Sequence, residues 1–361
     1  MTAAAVGVLL TLLWVLTPPP VRATGPALSR RPARRKPGPL EMAHLVEQLA
    51  TVLGSGAGLR QAWSALGRAL PEGELRDLAR SAATGADPRR AAGERLRRTE
   101  MVTSLSTALA VCERTGAPTA GMLQHLAGAL RDLHDAAQSR RSAFAGPRST
   151  ARILLVLPLA GLGLGMLLGG DPLRLLVTSG AGNLLGATGL ALTAIGWWWM
   201  RRLIHRADPP HRHQVDPSVQ LELIAGALDS GLPLAHAVAA VGDALPAGGE
   251  ATALQRFSAA LAAGVPATLA GRALPPELSA LSRSAVLTED TGADLARVLR
   301  SAARDARRSR ARDAEVLAAQ LAVRLVLPTG LALLPAFVAL GIIPTVMSLL
   351  GGTFALGPGA G

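Results

Sequence analysis

The chain has 361 residues, room for two or three domains, and a formal net charge of +12 at pH 7. Hydrophobic residues make up 49% of it, aromatic residues only 2%, and tyrosine is absent. Because Ala, Leu and Gly supply most of the apolar surface, this composition favours closely packed helices and argues against an all-β fold. The single cysteine, Cys112, excludes an intrachain disulfide and a thiolate metal cluster.

The first 21 residues carry no charge and contain a short apolar run from Ala3 to Leu16. We interpret residues 1–21 as an N-terminal transmembrane anchor, with a cleaved signal peptide as the alternative. No Lys or Arg precedes the apolar run and three prolines follow it, which is unusual for a signal peptide. Residues 22–40 are rich in Pro and Arg and are predicted to be a linker.

Residues 41–150 show the periodicity of amphipathic helices separated by short turns. Leu45, Leu49 and Val52 recur at helical spacing, and Gly54-Ser55-Gly56 ends that helix. Short helices joined by tight turns predict an antiparallel bundle of about six helices. A long helix, from about residue 119 to 144, is predicted to close this bundle.

Residues 217–324 repeat the pattern after a basic linker, residues 203–216. The segment from Val46 to Leu59 aligns with the segment from Leu221 to Leu234. The matched positions are Glu47 with Glu222, Ser55-Gly56 with Ser230-Gly231, and, at almost the same offset, Glu113 to Gly116 with Glu289 to Gly292. The chain therefore contains one helical module built twice.

Three further apolar segments are long enough to cross a membrane. Ile153 to Gly170 and Leu175 to Met200 contain no charged residue, and each can span a hydrocarbon core about 30 Å thick. A tight turn joins them, so residues 151–202 are predicted to form a transmembrane hairpin. Residues 325–350 are predicted to be a C-terminal transmembrane helix kinked by prolines, followed by a Gly-rich tail, residues 351–361. With the anchor, this predicts about four transmembrane helices.

Glycine recurs at every fourth position of the first arm of the hairpin, at Gly161, Gly165 and Gly169. Small residues at this spacing allow helices to approach closely in lipid. We interpret the three glycines as a packing face. The alternative is that glycine is simply common in membrane helices.

The positions of the basic residues predict the orientation in the membrane. Arginines crowd the ends of the apolar segments, as in the cluster at Arg201 and Arg202 beside three tryptophans. This positive-inside pattern predicts a multi-pass protein of the cell membrane with both bundles in the cytoplasm. No aromatic residues interleave with the arginines to stack bases, so we expect no nucleic-acid partner.

Motifs for catalysis and cofactor binding are absent. Lys36 is the only lysine and lies in a basic linker, so no P-loop exists, and neither Gly-x-Ser-x-Gly nor His-Glu-x-x-His occurs. A loop contains His205, His211 and His213, which we interpret as a solvated basic flank rather than a metal site. Glu113 and Glu289 fall at equivalent places of the two modules. They favour packing or partner contact over acid–base chemistry. We therefore predict no catalytic, cofactor-binding or metal-binding residue.

Taken together, these motifs resemble the type II secretion system F family. The resemblance rests on two elements that each module carries: a Ser-Gly-x-x-Leu turn, Ser55 to Leu59 and Ser230 to Leu234, and a Glu-x-x-Gly element, Glu113 to Gly116 and Glu289 to Gly292. It covers about residues 41–350 and implies an all-α integral membrane protein. One departure is that the glycine usual just before this Glu is absent. This departure and the short modules suggest the tight-adherence pilus branch.

Members of this family are platform proteins of secretion and pilus machines. The resemblance implies a non-enzymatic inner-membrane protein that docks on a hexameric secretion ATPase and gathers pilin or pseudopilin subunits. We expect a homo-oligomer in contact with membrane lipid and without a cofactor. The expected joints and docking points are Ser55, Gly56, Glu113, Gly116, Ser230, Gly231, Glu289 and Gly292. A transporter, or another membrane protein with duplicated helical domains, is the alternative.

Overall fold

The computed structural model describes residues 37–97, 99–167, 172–178, 180–207, 215–291 and 294–347. These described residues are helical and contain no β-strand. They divide into two compact units. The bundle unit contains the described residues of 29–139 and 211–312, and the apolar unit contains those of 140–210 and 313–361. The expected anchor, residues 1–21, and the Gly-rich tail, residues 351–361, lie outside the described residues.

The first repeat begins with a helix whose two ends are marked by residues in the sequence. Pro39 occupies the first turn, the backbone N–H of Gly38 donates to Glu41 Oε2 at 3.0 Å, and the helix ends at Gly54. The helices of this repeat are α1 (Pro39–Gly54), α2 (Leu59–Ala69), α3 (Glu74–Ala83), α4 (Pro88–Ala91), α5 (Glu94–Arg97), α6 (Glu100–Thr115) and α7 (Thr119–Leu167).

Between the repeats lie α8 (Pro172–Thr178) and α9 (Gly180–Ala207). The second repeat has nearly the same order of elements as the first. Its helices are α10 (Pro217–Leu228), α11 (Leu234–Ala244), α12 (Gly249–Ala262), α13 (Ala267–Ala270), α14 (Ser279–Thr291) and α15 (Leu295–Arg324). Two 3₁₀ turns, Gly271–Ala273 and Pro276–Leu278, stand between α13 and α14.

The duplication extends to the close packing of helices. The second and third helices of each repeat approach at a glycine, Gly67 in α2 and Gly242 in α11. A Cβ added to Gly67 would lie 3.0 Å from Arg80 Cγ, and one added to Gly242 would lie 3.3 Å from Leu254 Cβ. The same small residue therefore permits the same helix contact in both copies.

Both repeats of the bundle unit pack around one hydrophobic core. Trp63 and Leu123 of the first repeat and Phe257 and Leu299 of the second belong to a single buried cluster. Met122 of α7 lies directly against Gly226 of α10, where an added Cβ would be 2.5 Å from its sulfur. Within this unit, the two repeats therefore share a single hydrophobic core.

The apolar unit is built from the end of α7, from α8 and α9, and from residues 313–347. These residues belong to the last helical stretch, which runs from Leu295 to Met347. Phe144 of α7, Met200 of α9, and Leu321 and Leu325 of the last stretch share a buried cluster. Two described helices are long and apolar enough to cross a membrane, Thr119–Leu167 and Leu295–Met347. The helix Gly180–Ala207, which covers most of the predicted second arm of the hairpin, is not one of these two. Its glycines, threonines and tryptophans add little to mean hydropathy.

The last helical stretch accommodates its prolines by adopting the wider π-helical geometry near them. After α16 (Val326–Pro328), a π-helical segment, Thr329–Leu333, precedes α17 (Leu334–Phe337), and a second π segment, Val338–Ile342, follows it. The N–H of Leu334 bonds to the carbonyl of Thr329, and that of Ile343 to Val338, five residues back. Each π segment contains the residue four positions before a proline, Pro335 or Pro344, whose ring would clash with that carbonyl in a regular helix.

Candidate functional site

The two Ser-Gly turns have the same geometry. Ser55 Oγ donates to the carbonyl of Val52, and Ser230 Oγ to that of Ala227, both at 2.7 Å. The glycines that follow adopt left-handed conformations, with φ of +92° at Gly56 and +84° at Gly231. An L side chain is disfavoured in this region, so glycine is required to end the first helix of each repeat. Both turns therefore depend on their glycines for the left-handed conformation that ends the helix.

The first Glu-x-x-Gly element caps α6. Gly116 has a φ of +69° and donates its N–H to the carbonyl of Cys112 at 2.9 Å. Thr115 Oγ1 accepts from the N–H of Ala117 at 3.2 Å and donates to the carbonyl of Val111 at 2.7 Å. The carboxylate of Glu113 is exposed beside this cap. In the second repeat Glu289 is also exposed, whereas Gly292 lies outside the described residues.

A ladder of ion pairs joins the first and last helices of the second repeat. Three arginines of α15 meet three carboxylates of α10 and its ends: Arg310 pairs with Asp216 at 2.6 Å, Arg307 with Glu222 at 3.1 Å, and Arg300 with Asp229. Asp216 also caps α10, since its Oδ1 accepts from the N–H of Ser218 at 2.8 Å. The pairs run in opposite directions along the two helices and hold them antiparallel.

Arg307 is the central member of the arginine ladder. Its side chain is only 3% exposed, and that of Glu222 is 7% exposed. Its guanidinium also contacts Asp132 of α7, with Nη2 at 3.0 Å and Nε at 3.1 Å from Oδ2. A buried guanidinium needs such partners, because a buried charge without them is strongly unfavourable. One side chain thus connects the closing helices of both repeats.

The first repeat has the equivalent of this central pair. Glu47 of α1 pairs with Arg131 of α7, and both are more exposed than their counterparts, at 47% and 36%. Glu47 aligns with Glu222, and Arg131 precedes Arg307 by the offset that relates Glu113 to Glu289. No sequence motif marked Arg131, Arg307 or Asp132. The repeat offset was the signal that could have found the two arginines.

The glycines of the predicted packing face lie on α7 in the apolar unit. Gly161 approaches the last helical stretch so closely that an added Cβ would lie 2.5 Å from the Phe337 ring and 3.2 Å from Gly341 Cα. Gly165 is buried, and Gly169 lies outside the described residues. On α9, Gly189 faces Leu340 of the same stretch in a similar way, at 2.4 Å from Cγ.

The buried thiol and the histidines offer no catalytic arrangement in the described part of the chain. Cys112 is 5% exposed, and burial raises the pKa of its thiol to about 11, which keeps it protonated. No group of three or more His, Cys, Asp or Glu side chains among these residues could hold a metal ion. His211 and His213 lie outside them. What the ladder and the joints can supply is rigid connection between helices.

Comparison with protein families accounts for the duplicated architecture. The model of type II secretion system protein F matches twice, over residues 45–167 and residues 221–343. No protein with curated annotation matches the chain. The two matches cover more than half of the chain, and each extends from the first helix of a repeat into an apolar segment. The chain therefore belongs to the type II secretion system protein F family and carries two copies of the family's domain.

Proposed function

We propose that this chain is a non-enzymatic inner-membrane platform protein, which couples a cytoplasmic hexameric secretion ATPase to the extraction and assembly of pilin or pseudopilin subunits. Membership of the family fits a platform in a secretion or pilus machine, and proteins of this family are inner-membrane proteins known as non-enzymatic. We propose the tight-adherence branch for this chain, on the short modules and the missing glycine before Glu113 and Glu289.

One observation carries the proposal. The last helix of each repeat begins among the buried residues of the bundle core and continues along the chain into an apolar stretch. Leu123 and Leu126 of α7 are fully buried in that core, and α7 runs unbroken to Leu167. Leu299 of α15 is buried in the same core, and the helical stretch from Leu295 continues to Met347. A force applied to the bundle unit would reach both stretches through backbone.

The arginine ladder supports the role of coupler. Because Arg307 binds carboxylates on α7 and α10 at once, the closing helices of the repeats are tied together within the bundle unit. Two bundles that could move independently would not transmit a displacement from one to the other, whereas two bundles linked by ion pairs do. We further propose that both bundles face the cytoplasm and that the chain crosses the membrane about four times, as the positive-inside pattern predicts.

The docking points are proposed to lie beside the exposed carboxylates of Glu113 and Glu289. Both are exposed, so reversing their charge should leave the core intact. The test replaces both by arginine, in the full-length protein in membranes, and measures capture of the secretion ATPase of the same cell. We expect the double variant E113R/E289R to lose most of the capture and of filament assembly.

A single charge reversal at another exposed site, compared with E113R and E289R made one at a time, separates docking from a general effect of charge. Glu72 has a side chain that is 95% exposed and lies between α2 and α3, away from both elements in the sequence. E72R should capture the ATPase as the natural protein does. Undiminished capture by E113R/E289R, with normal folding by circular dichroism, would contradict the docking role. Loss of capture in E72R as well would mean that overall charge decides binding.

A further inference from the structure

The three segments of the apolar unit lie side by side in a fixed register. Their buried cluster contains Ala151 of α7, Met200 of α9, and residues of the last helical stretch from Ala314 to Leu333. Gly161 of α7 faces Phe337, and Gly196 of α9 faces Leu333. At 1.5 Å per residue, this register places Ala151 and Met200 at about the same level as Leu325 to Thr329. This allows positions on three separate segments to be compared along one axis.

Exposed apolar side chains lie almost entirely on one side of that level. On α7 they begin at Ile153, on α9 they precede Met200, and on the last stretch they begin at Val323. Leu167 is 85% exposed, and Leu184 and Val326 are 72% and 67% exposed. Among the exposed large apolar residues in the described part of this unit, only Val316 and Leu317 lie on the other side. An apolar surface this extensive is expected to face lipid.

Arginines gather where the exposed apolar surface begins. Next to the shared cluster in sequence stand Arg148 and Arg152 on α7, Arg201 and Arg202 on α9, and Arg324. All but Arg148 are exposed. We call these five residues the arginine girdle. Their position is that of the lipid headgroups, if the apolar surface lies in the hydrocarbon core.

Aromatic rings hold three guanidinium groups of the girdle in place. The Cζ atom of Arg201 lies 5.1 Å from the ring centroid of Trp197, and that of Arg202 lies 5.2 Å from the ring centroid of Trp198. Arg148 stacks over Phe144 at 5.7 Å. At the exposed Arg201 and Arg202, stacking restrains the side chain while leaving the planar fork of donors able to bind a phosphate at two points. Such preorganisation lowers the cost of binding an anion.

We propose that the arginine girdle is a binding surface for the phosphate groups of anionic phospholipids, and that it selects phosphatidylglycerol over phosphatidylcholine. This inference rests on the proposed insertion in the membrane. The ligand must present phosphate at the edge of an apolar phase, which a lipid does and a free anion does not. Net negative charge distinguishes the lipid classes, since a choline headgroup cancels its phosphate.

The girdle's own tryptophans can report the bound lipid. The full-length protein is reconstituted in phosphatidylcholine nanodiscs that contain a small, equal fraction of either brominated phosphatidylglycerol or brominated phosphatidylcholine. Trp14→Phe removes the one tryptophan outside the described residues, and Trp63 is buried in the bundle core. Bromine quenches tryptophan at short range, so the ratio of the two quenching levels gives the relative occupancy of the girdle.

We expect brominated phosphatidylglycerol to quench more strongly. In R201Q/R202Q the preference should fall by about fivefold for each arginine removed. R201K/R202K keeps the charge but loses the planar fork, and should retain part of the preference. The control R95Q/R97Q removes two exposed arginines of the bundle unit and should keep all of it.

Three results would overturn the proposal. Equal quenching by the two lipids would remove the selectivity while leaving membrane insertion in place. Loss of the preference on adding inorganic phosphate, at constant ionic strength, would identify a site for free anions. If neither brominated lipid quenched, the insertion itself would fail, and the girdle proposal with it.

Discussion

The guanidinium of Arg307 and the carboxylate of Asp132 join the two repeats, with Nη2 and Oδ2 3.0 Å apart. Asp132 lies on α7 and Arg307 on α15, 175 positions later in the chain. Arg307 is also bound by Glu222 and is almost fully buried. The contact gives a single side chain a large share in holding the bundle unit together.

Removing this side chain should destabilise the protein strongly. Arg307→Met leaves the buried carboxylate of Glu222 with only the more distant Arg300, 4.0 Å away. Breaking a buried pair from one side costs about 3–5 kcal/mol. Denaturant unfolding of the purified protein, followed by circular dichroism, measures the change. Arg308 is the neighbouring, exposed arginine, and Arg308→Met should change the free energy of unfolding by less than about 0.5 kcal/mol. Equal effects of the two substitutions would refute the special role of Arg307.

Replacing a glycine by alanine should destabilise the protein at the left-handed Ser-Gly turns and stabilise it inside a regular helix. Gly56→Ala and Gly231→Ala each place a Cβ in a left-handed conformation and should cost about 1–2 kcal/mol. Gly128 lies inside α7 with open space around it, so Gly128→Ala should stabilise the helix by about 0.5–1 kcal/mol. Thermal unfolding of the three variants, compared under one condition, measures both signs. A stabilised Gly56→Ala variant would show that the left-handed joint is dispensable.

The close approach of Gly161 and Gly341 predicts that even one added methyl group disturbs the apolar unit. In Gly161→Ala the new Cβ would meet the Phe337 ring at 2.5 Å, which forces the two segments apart. We expect a cost of about 1–3 kcal/mol, the usual range for overpacking. Resistance to unfolding in SDS mixtures measures it. Gly180→Ala adds the same group into open space and should be nearly neutral.

A second substitution tests this explanation of the cost. Phe337→Leu removes the ring that the new methyl group would strike. If crowding is the cause, the double variant Gly161→Ala/Phe337→Leu should recover part of the lost resistance. Strictly additive losses would point to a different origin.

Cys112 should react very slowly in the folded protein. Its pKa of about 11 leaves a very small thiolate fraction at pH 8, and its side chain is buried. Because the folded-state pKa is raised, labelling should remain slow throughout the neutral range and increase only when denaturant opens α6. The reaction with a disulfide reagent, followed by absorbance, measures this rate. In Cys112→Ser, an exposed Ser139→Cys provides the fast-reacting control.

The joints could be predicted from the sequence because a single residue type satisfies their conformation. Gly56, Gly116 and Gly231 each end a helix with positive φ, which other residues rarely adopt. Glu113 stood out because it recurs at the same offset from a glycine in the second repeat. Local signals of this kind depend on a few neighbouring residues, so one sequence is enough to read them.

The arginine ladder depends on contacts between distant parts of the chain. Arg307 and Glu222 are 85 positions apart, and arginines are so numerous in α15 that nothing marks this one as buried. Hydropathy argues against burial of Arg307, because arginine is seldom found inside a protein. The π segments were equally hidden. Pro335 and Pro344 predict a disturbance, but whether a helix kinks or widens depends on the packing around it.

The shared core of the bundle unit has a consequence for stoichiometry. Met122 and Gly226 belong to different repeats, yet they pack as neighbours inside one cluster. If the repeats were separate proteins, their pairing would depend on how much of each the cell makes. Here the peptide chain fixes the ratio at one to one, and the association becomes an intramolecular step whose effective concentration is independent of expression. Mispairing through unequal supply of the two halves is thereby avoided.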